Sequence, residues 1–216
     1  MYRPLLLGIL ALGALALGLW ALAGSPPEPC ADARYPDPLR SPYVLPYPVD
    51  AAYKVRQGNC DTTNTHHQGY RASFAYDFDM PLGSPVTAAR GGQVILVEDS
   101  CADTDHDPDH GNRVIVRHED ASYALYGHLQ QGSAQVQVGA TVRLGQALAR
   151  SGDSGLSRGP HLHLAVLRCD LVLGGLRLGC ESAPVSFRNA GPTSGGRAGA
   201  PPLTLRGGEV YQALPW

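Results

Sequence analysis

Residues 112–129 read NRVIVRHEDASYALYGHL. Two short apolar runs, Val114-Ile115-Val116 and Tyr123-Ala124-Leu125-Tyr126, flank a polar stretch around Asp120. Both runs are β-branched or aromatic and too short for good helices. Similar runs lie on either side, at Val94-Ile95-Leu96-Val97 and from Leu162 to Leu167, with Gly, Asp and Asn between them. Outside the N-terminal apolar stretch, no segment holds a helical apolar period over three turns. The pattern predicts a mostly antiparallel β domain, a sheet or sandwich.

The runs divide the chain. Arg3 followed by apolar residues from Leu5 to Leu22, with Ala21-Leu22-Ala23 before Gly24, reads as an export signal over residues 1–23. The alternative is an uncleaved membrane anchor, because the apolar run approaches spanning length. Membrane contact is expected only in that case. Either way the remainder is expected outside the cytoplasm, in the periplasm, the cell envelope or the medium. Residues 24–42 are rich in Pro and polar residues and read as a linker. Residues 43–188 carry the folded pattern. Residues 189–216 read as a flexible linker and C-terminal tail, of which Leu203 to Trp216 has apolar content that can dock back.

The 17 Lys and Arg nearly balance 19 Asp and Glu. This gives no reason to expect nucleic-acid binding. Five cysteines in an exported chain predict disulfides. Cys169 and Cys180 flank Gly174-Gly175 and suggest a pinned hairpin. Cys60 with Cys101 is a second candidate pair, which leaves Cys30 over. No C-x-x-C occurs, which argues against a metal-thiolate site.

Four segments carry candidate chemistry. In Gly159-Pro160-His161-Leu162-His163, histidines two apart on a strand share a face. One can bind a metal while the other handles protons, and Leu162 and Leu164 then face the core. In Ala75-Tyr76-Asp77-Phe78-Asp79-Met80-Pro81, a strand puts Asp77 and Asp79 on one face and the aromatics on the other. That fits a presented ligand, although taken alone an edge strand with solvated carboxylates is the plainer reading. Thr65-His66-His67-Gln68-Gly69 holds adjacent histidines, of which one is expected to bind. Tyr126-Gly127-His128-Leu129 ends an apolar run on a histidine.

Together, AYDFDMPLGSP (75–85), VTAARGGQV (86–94), NRVIVRH (112–118), YGHL (126–129) and SGDSGLSRGPHLH (151–163) resemble the M23 family of peptidases, of the lysostaphin and LytM type. YVLPYPVDAAYKVRQG (43–58) resembles sequences that precede the family's core. The likeness spans roughly residues 43–188, with the motifs in the family's order. It implies a LytM-type (duplicated hybrid motif-like) β domain with a zinc groove. It implies zinc ligands at His67, Asp77 and His163, and catalytic groups at His128 and His161. His67 lies farther before Asp77 than in many members. A longer-spaced subset with Gly two residues after the histidine, matched by Gly69, favours His67 over His66. The implied activity is exported zinc endopeptidase cleavage of peptidoglycan cross-links or stems. Three protein ligands leave zinc a position for water, whose pKa the metal lowers, with His128 and His161 sharing proton transfer and oxyanion stabilisation.

Two other functions compete. One is a non-catalytic domain of this fold that binds or activates wall enzymes. The other is a calcium-stabilised wall-binding module, suggested by the alternating carboxylates of residues 103–109, although the segment lacks a closing Glu. A solvated hairpin tip is the plainer reading of that segment.

Overall fold

The computed structural model describes residues 30, 33–60, 66, 72–107, 110–173, 176–192 and 201–216. The expected signal or anchor, His67 and Pro108-Asp109 lie outside the described residues. Among the described residues, no helix is long and apolar enough to cross a membrane.

The expectation of a mostly antiparallel β domain is met. The strands are β1 (Ala52–Gln57), β2 (Tyr76–Asp79), β3 (Pro85–Thr87), β4 (Gly92–Glu98), β5 (Arg113–Arg117) and β6 (Tyr123–Gly127). They continue with β7 (Thr141–Val142), β8 (Ala147–Arg150), β9 (Leu162–Leu173), β10 (Leu176–Ser182), β11 (Ala190–Pro192) and β12 (Val210–Ala213). The main sheet runs β11-β12-β1-β2-β9-β6-β5-β4-β7, with β10 also paired to β9. A second sheet consists of β3 and β8. Every strand pairing is antiparallel.

Period-two alternation sets the two faces of the main sheet. Tyr76 and Phe78 of β2, Val114 and Val116 of β5, Ala124 and Tyr126 of β6, and Leu162, Leu164 and Val166 of β9 point into one core. Val86, Leu148 and Ala149 of the small sheet join the same cluster. Each large apolar side chain so buried contributes about 1.5–3 kcal/mol. The buried phenols keep partners: Tyr126 Oη accepts the Ala89 N–H at 2.7 Å, and Tyr47 Oη donates to Tyr211 O at 2.8 Å.

The sheet extends into the segment expected as linker and tail. β12 lies between β11 and β1, Leu205 is buried, and the Trp216 ring packs against Gly145. Exposed main-chain edges gain hydrogen bonds this way, which a reading of local apolar content does not capture.

Cys169 and Cys180 form a disulfide and sit opposite each other in the β9–β10 hairpin. The Cys60–Cys101 pairing is corrected. Cys60 bonds Cys30, and Cys101 is a free thiol. Cys60 follows β1 and Cys101 follows β4, five strand steps apart in the sheet. At about 4.8 Å per step, no disulfide spans that distance.

Candidate metal centre

One register row crosses the sheet and organises the site. Glu98 (β4) faces Arg113 (β5), Arg113 faces Gly127 (β6), Gly127 faces His163 (β9), His163 faces Asp77 (β2), and Asp77 faces Gln57 (β1). Residues directly opposite share a face, so this row stands on the face away from the core. Asp77 and His163 are thereby neighbours, 2.8 Å apart from Oδ1 to Nδ1. His66 reaches the same point from the segment between β1 and β2, its Nε2 3.6 Å from Asp77 Oδ1. The neck of that segment is closed by the Cys60 N–H to Ser73 O bond at 2.6 Å.

Donor atoms of His66, Asp77 and His163 all lie within 4.8 Å of one another. Tetrahedral ligands about 2.0–2.1 Å from zinc stand roughly 3.3–3.4 Å apart, so this cluster is already near metal-binding dimensions. Two imidazoles and one carboxylate are a donor set that zinc accepts. Gln57 Nε2 donates to the other Asp77 oxygen at 2.6 Å. Burial alone would raise the Asp77 carboxyl. The His163 hydrogen bond and the charges of His163, His66 and His161 outweigh it and hold the group well below the usual carboxylate range.

His128 and His161 complete the cluster, their ring centroids 4.5 Å apart. His128 directly follows β6 in the left-handed region, at φ 58°, a conformation that histidine adopts more readily than most residues. Its ring centroid lies 5.9 Å from that of His163. Backbone carbonyls fix the tautomers. His128 Nδ1 lies 2.8 Å from Ser154 O, His161 Nδ1 2.9 Å from Gly159 O, and His66 Nδ1 3.3 Å from Gly58 O. A carbonyl only accepts, so the Nδ1 atoms of His128 and His161 carry the proton and their Nε2 atoms hold the lone pair. Burial lowers all three pKa values. For His128, burial with His161 and His163 nearby brings it to about 4.

Further groups hold these rings in place. The Ser157 hydroxyl donates to Asp153 Oδ1 at 2.5 Å and turns a lone pair to His161 Nδ1 at 3.2 Å. Asp153 Oδ1 also accepts the Gly159 N–H at 2.8 Å. The Arg56 guanidinium donates to Gly159 O, Pro160 O and Asp79. Asn112 is fully buried. Its side chain accepts from Cys101 N and donates to Cys101 O and Leu129 O, while its N–H meets Ser154 Oγ. Beside the cluster opens a cleft of about 220 Å³, lined by His110, Arg113, Leu125, Gly127, His128, Leu156 and His163 among others.

The structure thus brings together Asp77, His163, His128 and His161. It adds His66, where the sequence pointed to His67, and His67 lies outside the described residues. Asn112, Ser157, Asp153 and Arg56 received no role from sequence. The one signal for Asn112 was its place at the head of a strand inside the NRVIVRH motif. The calcium expectation finds no support, since the acidic segment builds no oxygen cage among its described residues. Asp103 Oδ1 accepts the Gln131 N–H, Asp105 accepts the Asp107 N–H, and Asp107 Oδ2 lies 3.0 Å from His110 Nδ1.

Residues 71–172 match the model of Peptidase family M23. The chain is 32% identical over 123 residues to the peptidoglycan DD-endopeptidase ShyA of Vibrio cholerae serotype O1, a match covering 56% of this chain and 26% of that protein. It is 33% identical over 94 residues to the DD-carboxypeptidase/endopeptidase Mpg of Neisseria gonorrhoeae, covering 44% and 20%. A zinc-containing peptidase from Vibrio cholerae of known structure superposes with TM-score 0.43 at 29% identity, covering 58% of this chain and 37% of that one. The matched region is about a quarter of the length of ShyA.

Proposed function

Because residues 71–172 are a Peptidase family M23 domain, we propose that this chain is a zinc metallopeptidase that hydrolyses peptide bonds in peptidoglycan, with the ion held by His66, Asp77 and His163. The observation that carries the reading is the close approach of those three donor groups beside two further histidines. The name of ShyA supplies the substrate class.

Bound zinc would polarise a scissile carbonyl and acidify a water molecule. The remaining chemistry belongs to the protein. His128 and His161 present bare Nε2 atoms, and their lowered pKa values keep them neutral near pH 7. One can accept a proton from an attacking water. Once protonated, an imidazolium beside the developing oxyanion stabilises its charge. Gln57 and His163 orient Asp77, and Ser157, Gly159 and Ser154 orient the two catalytic rings. The catalytic domain begins near residue 43, and residues 1–23 direct export. Two disulfides suit an oxidising compartment.

Metal analysis of purified variants tests the ligand set. His66→Ala and His163→Ala lose zinc, whereas His67→Ala and His161→Ala keep it. Zinc retained in His163→Ala would sink the assignment. Loss in His67→Ala with retention in His66→Ala would transfer the first ligand to His67.

A further inference from the structure

Strand β1 is irregular where it meets β2. Lys54 faces Asp79 and Val55 faces Phe78, but the residue that faces Asp77 is Gln57 and not Arg56. Arg56 is therefore the extra residue of a bulge, a feature that bends a strand and re-aims a side chain. Val55 points into the core, and strict alternation would send Gln57 there too. The bulge instead gives two consecutive side chains to the face that bears the metal cluster. Gln57 takes Asp77. Arg56 reaches past Asp79 of β2 to the segment that leads into β9.

The guanidinium is divided among three acceptors. Nη1 donates to Gly159 O at 3.0 Å and Nη2 to Pro160 O at 2.9 Å. Nε donates to Asp79 Oδ1, and the other Asp79 oxygen lies 2.7 Å from Lys54 Nζ. One planar fork thus holds two successive carbonyls while Asp79 holds the fork. Gly159 is the residue that needs holding. Its φ of 119° is a conformation open to glycine and closed to most other residues, and glycine is also the freest to leave it. Its carbonyl is the acceptor for His161 Nδ1 at 2.9 Å. Arg56 and His161 therefore share one oxygen, each with a lone pair available to it.

We propose that Arg56 is a positioning residue for His161, acting through the Gly159 and Pro160 carbonyls to fix the direction of the ring and its Nδ1–H tautomer. Without the guanidinium, the Gly159 carbonyl is free to turn away. His161 then loses the acceptor that keeps its proton on Nδ1 and leaves Nε2 able to take one. Lysine is a poor replacement, because an ammonium is a point charge and cannot address two carbonyls and a carboxylate as a planar fork does. The proposal rests on the reading of His161 as a catalytic group. It deepens that reading by naming the contact that prepares the ring.

The first measurement needs no activity. Nitrogen–proton correlation spectra of the imidazole rings are recorded on the metal-free protein at about pH 8, where an ordinary histidine is neutral. Signals of His161 are identified by their loss in His161→Gln. The wild type is expected to show the Nδ1–H tautomer alone, and Arg56→Lys a mixture of the two tautomers. The same tautomer in both proteins overturns the proposal, whether or not the chain proves to cut peptides. In the zinc-loaded protein acting on peptidoglycan peptides, Arg56→Lys should lower kcat about tenfold, the scale of one charge-assisted hydrogen bond, with KM and bound zinc unchanged. Lys54→Gln removes a charge from the same carboxylate but no bond to a carbonyl, and it should keep the wild-type kcat. Dilute guanidinium should restore part of the activity lost in Arg56→Ala, where sodium at equal ionic strength does not. An unchanged kcat in Arg56→Lys, or an equal fall in Lys54→Gln, overturns the proposal.

Discussion

Replacing Asn112 with alanine should damage stability and catalysis together while sparing the metal. The side chain makes three hydrogen bonds: from Cys101 N to Oδ1 at 2.9 Å, and from Nδ2 to Cys101 O at 2.8 Å and Leu129 O at 3.0 Å. Leu129 O would keep the Ser154 hydroxyl at 2.8 Å, so the Cys101 N–H and carbonyl are the groups orphaned. Three bonds at about 0.5–1.5 kcal/mol each, with partial relief from water at Cys101, give a loss of about 2–4 kcal/mol. Residue 112 also joins Ser154 and Leu129 through its backbone, and the Ser154 carbonyl orients His128. Turnover should therefore fall. His66, Asp77 and His163 rest on β2, β9 and the β1–β2 segment, so zinc content should hold. Urea unfolding, metal analysis and single-turnover rates on one preparation check all three. A loss below about 0.5 kcal/mol, or zinc leaving with the asparagine, would refute this role.

Other outcomes follow from the same contacts. Ser157→Ala removes the hydroxyl that links Asp153 to His161; kcat should drop with KM and zinc little changed, Ser157→Thr should restore most of it, and a KM effect alone would contradict a positioning role. Gly92→Ala would place a Cβ 2.2 Å from Arg117 O and 2.9 Å from Val116 Cγ1, so β4 and β5 must part at about 1–3 kcal/mol; an unchanged melting temperature would count against this register. His118 is buried away from the site and bonded to Gly91 O, and burial lowers its pKa from 6.5. Its neutral form therefore stabilises the fold above pH 6.5, and that contribution is lost as pH falls through the lowered value. Wild type should lose more stability between pH 7 and pH 5 than His118→Phe does, and parallel losses would exclude His118 as a source.

Local alternation made much of the fold readable. Val114, Val116, Leu162 and Leu164 fall on the core face because period two leaves them no other choice, and the same rule puts Asp77 and His163 on the opposite face. What stayed hidden depends on pairing between distant strands. That β12 docks on β1 is set by main-chain edges rather than by side-chain pattern. The Cys30–Cys60 bridge depends on which loop ends meet. The row from Arg113 through Gly127 to His163 exists only once the register of β5, β6 and β9 is fixed. His66 and His67 are chemically identical neighbours, so only backbone direction distinguishes them. Asn112 looked like one polar residue before a strand, and its burial comes from three segments converging on it.

The most direct measurement is mass spectrometry of the fragments released when the purified zinc-loaded protein is incubated with peptidoglycan. Zinc-dependent hydrolysis predicts new peptide termini, each cleavage adding one water, that vanish with a chelator and in His163→Ala and return when zinc is restored to the wild type. Fragments that persist in the chelated protein, or peptidoglycan left intact by the zinc-loaded wild type, would contradict it.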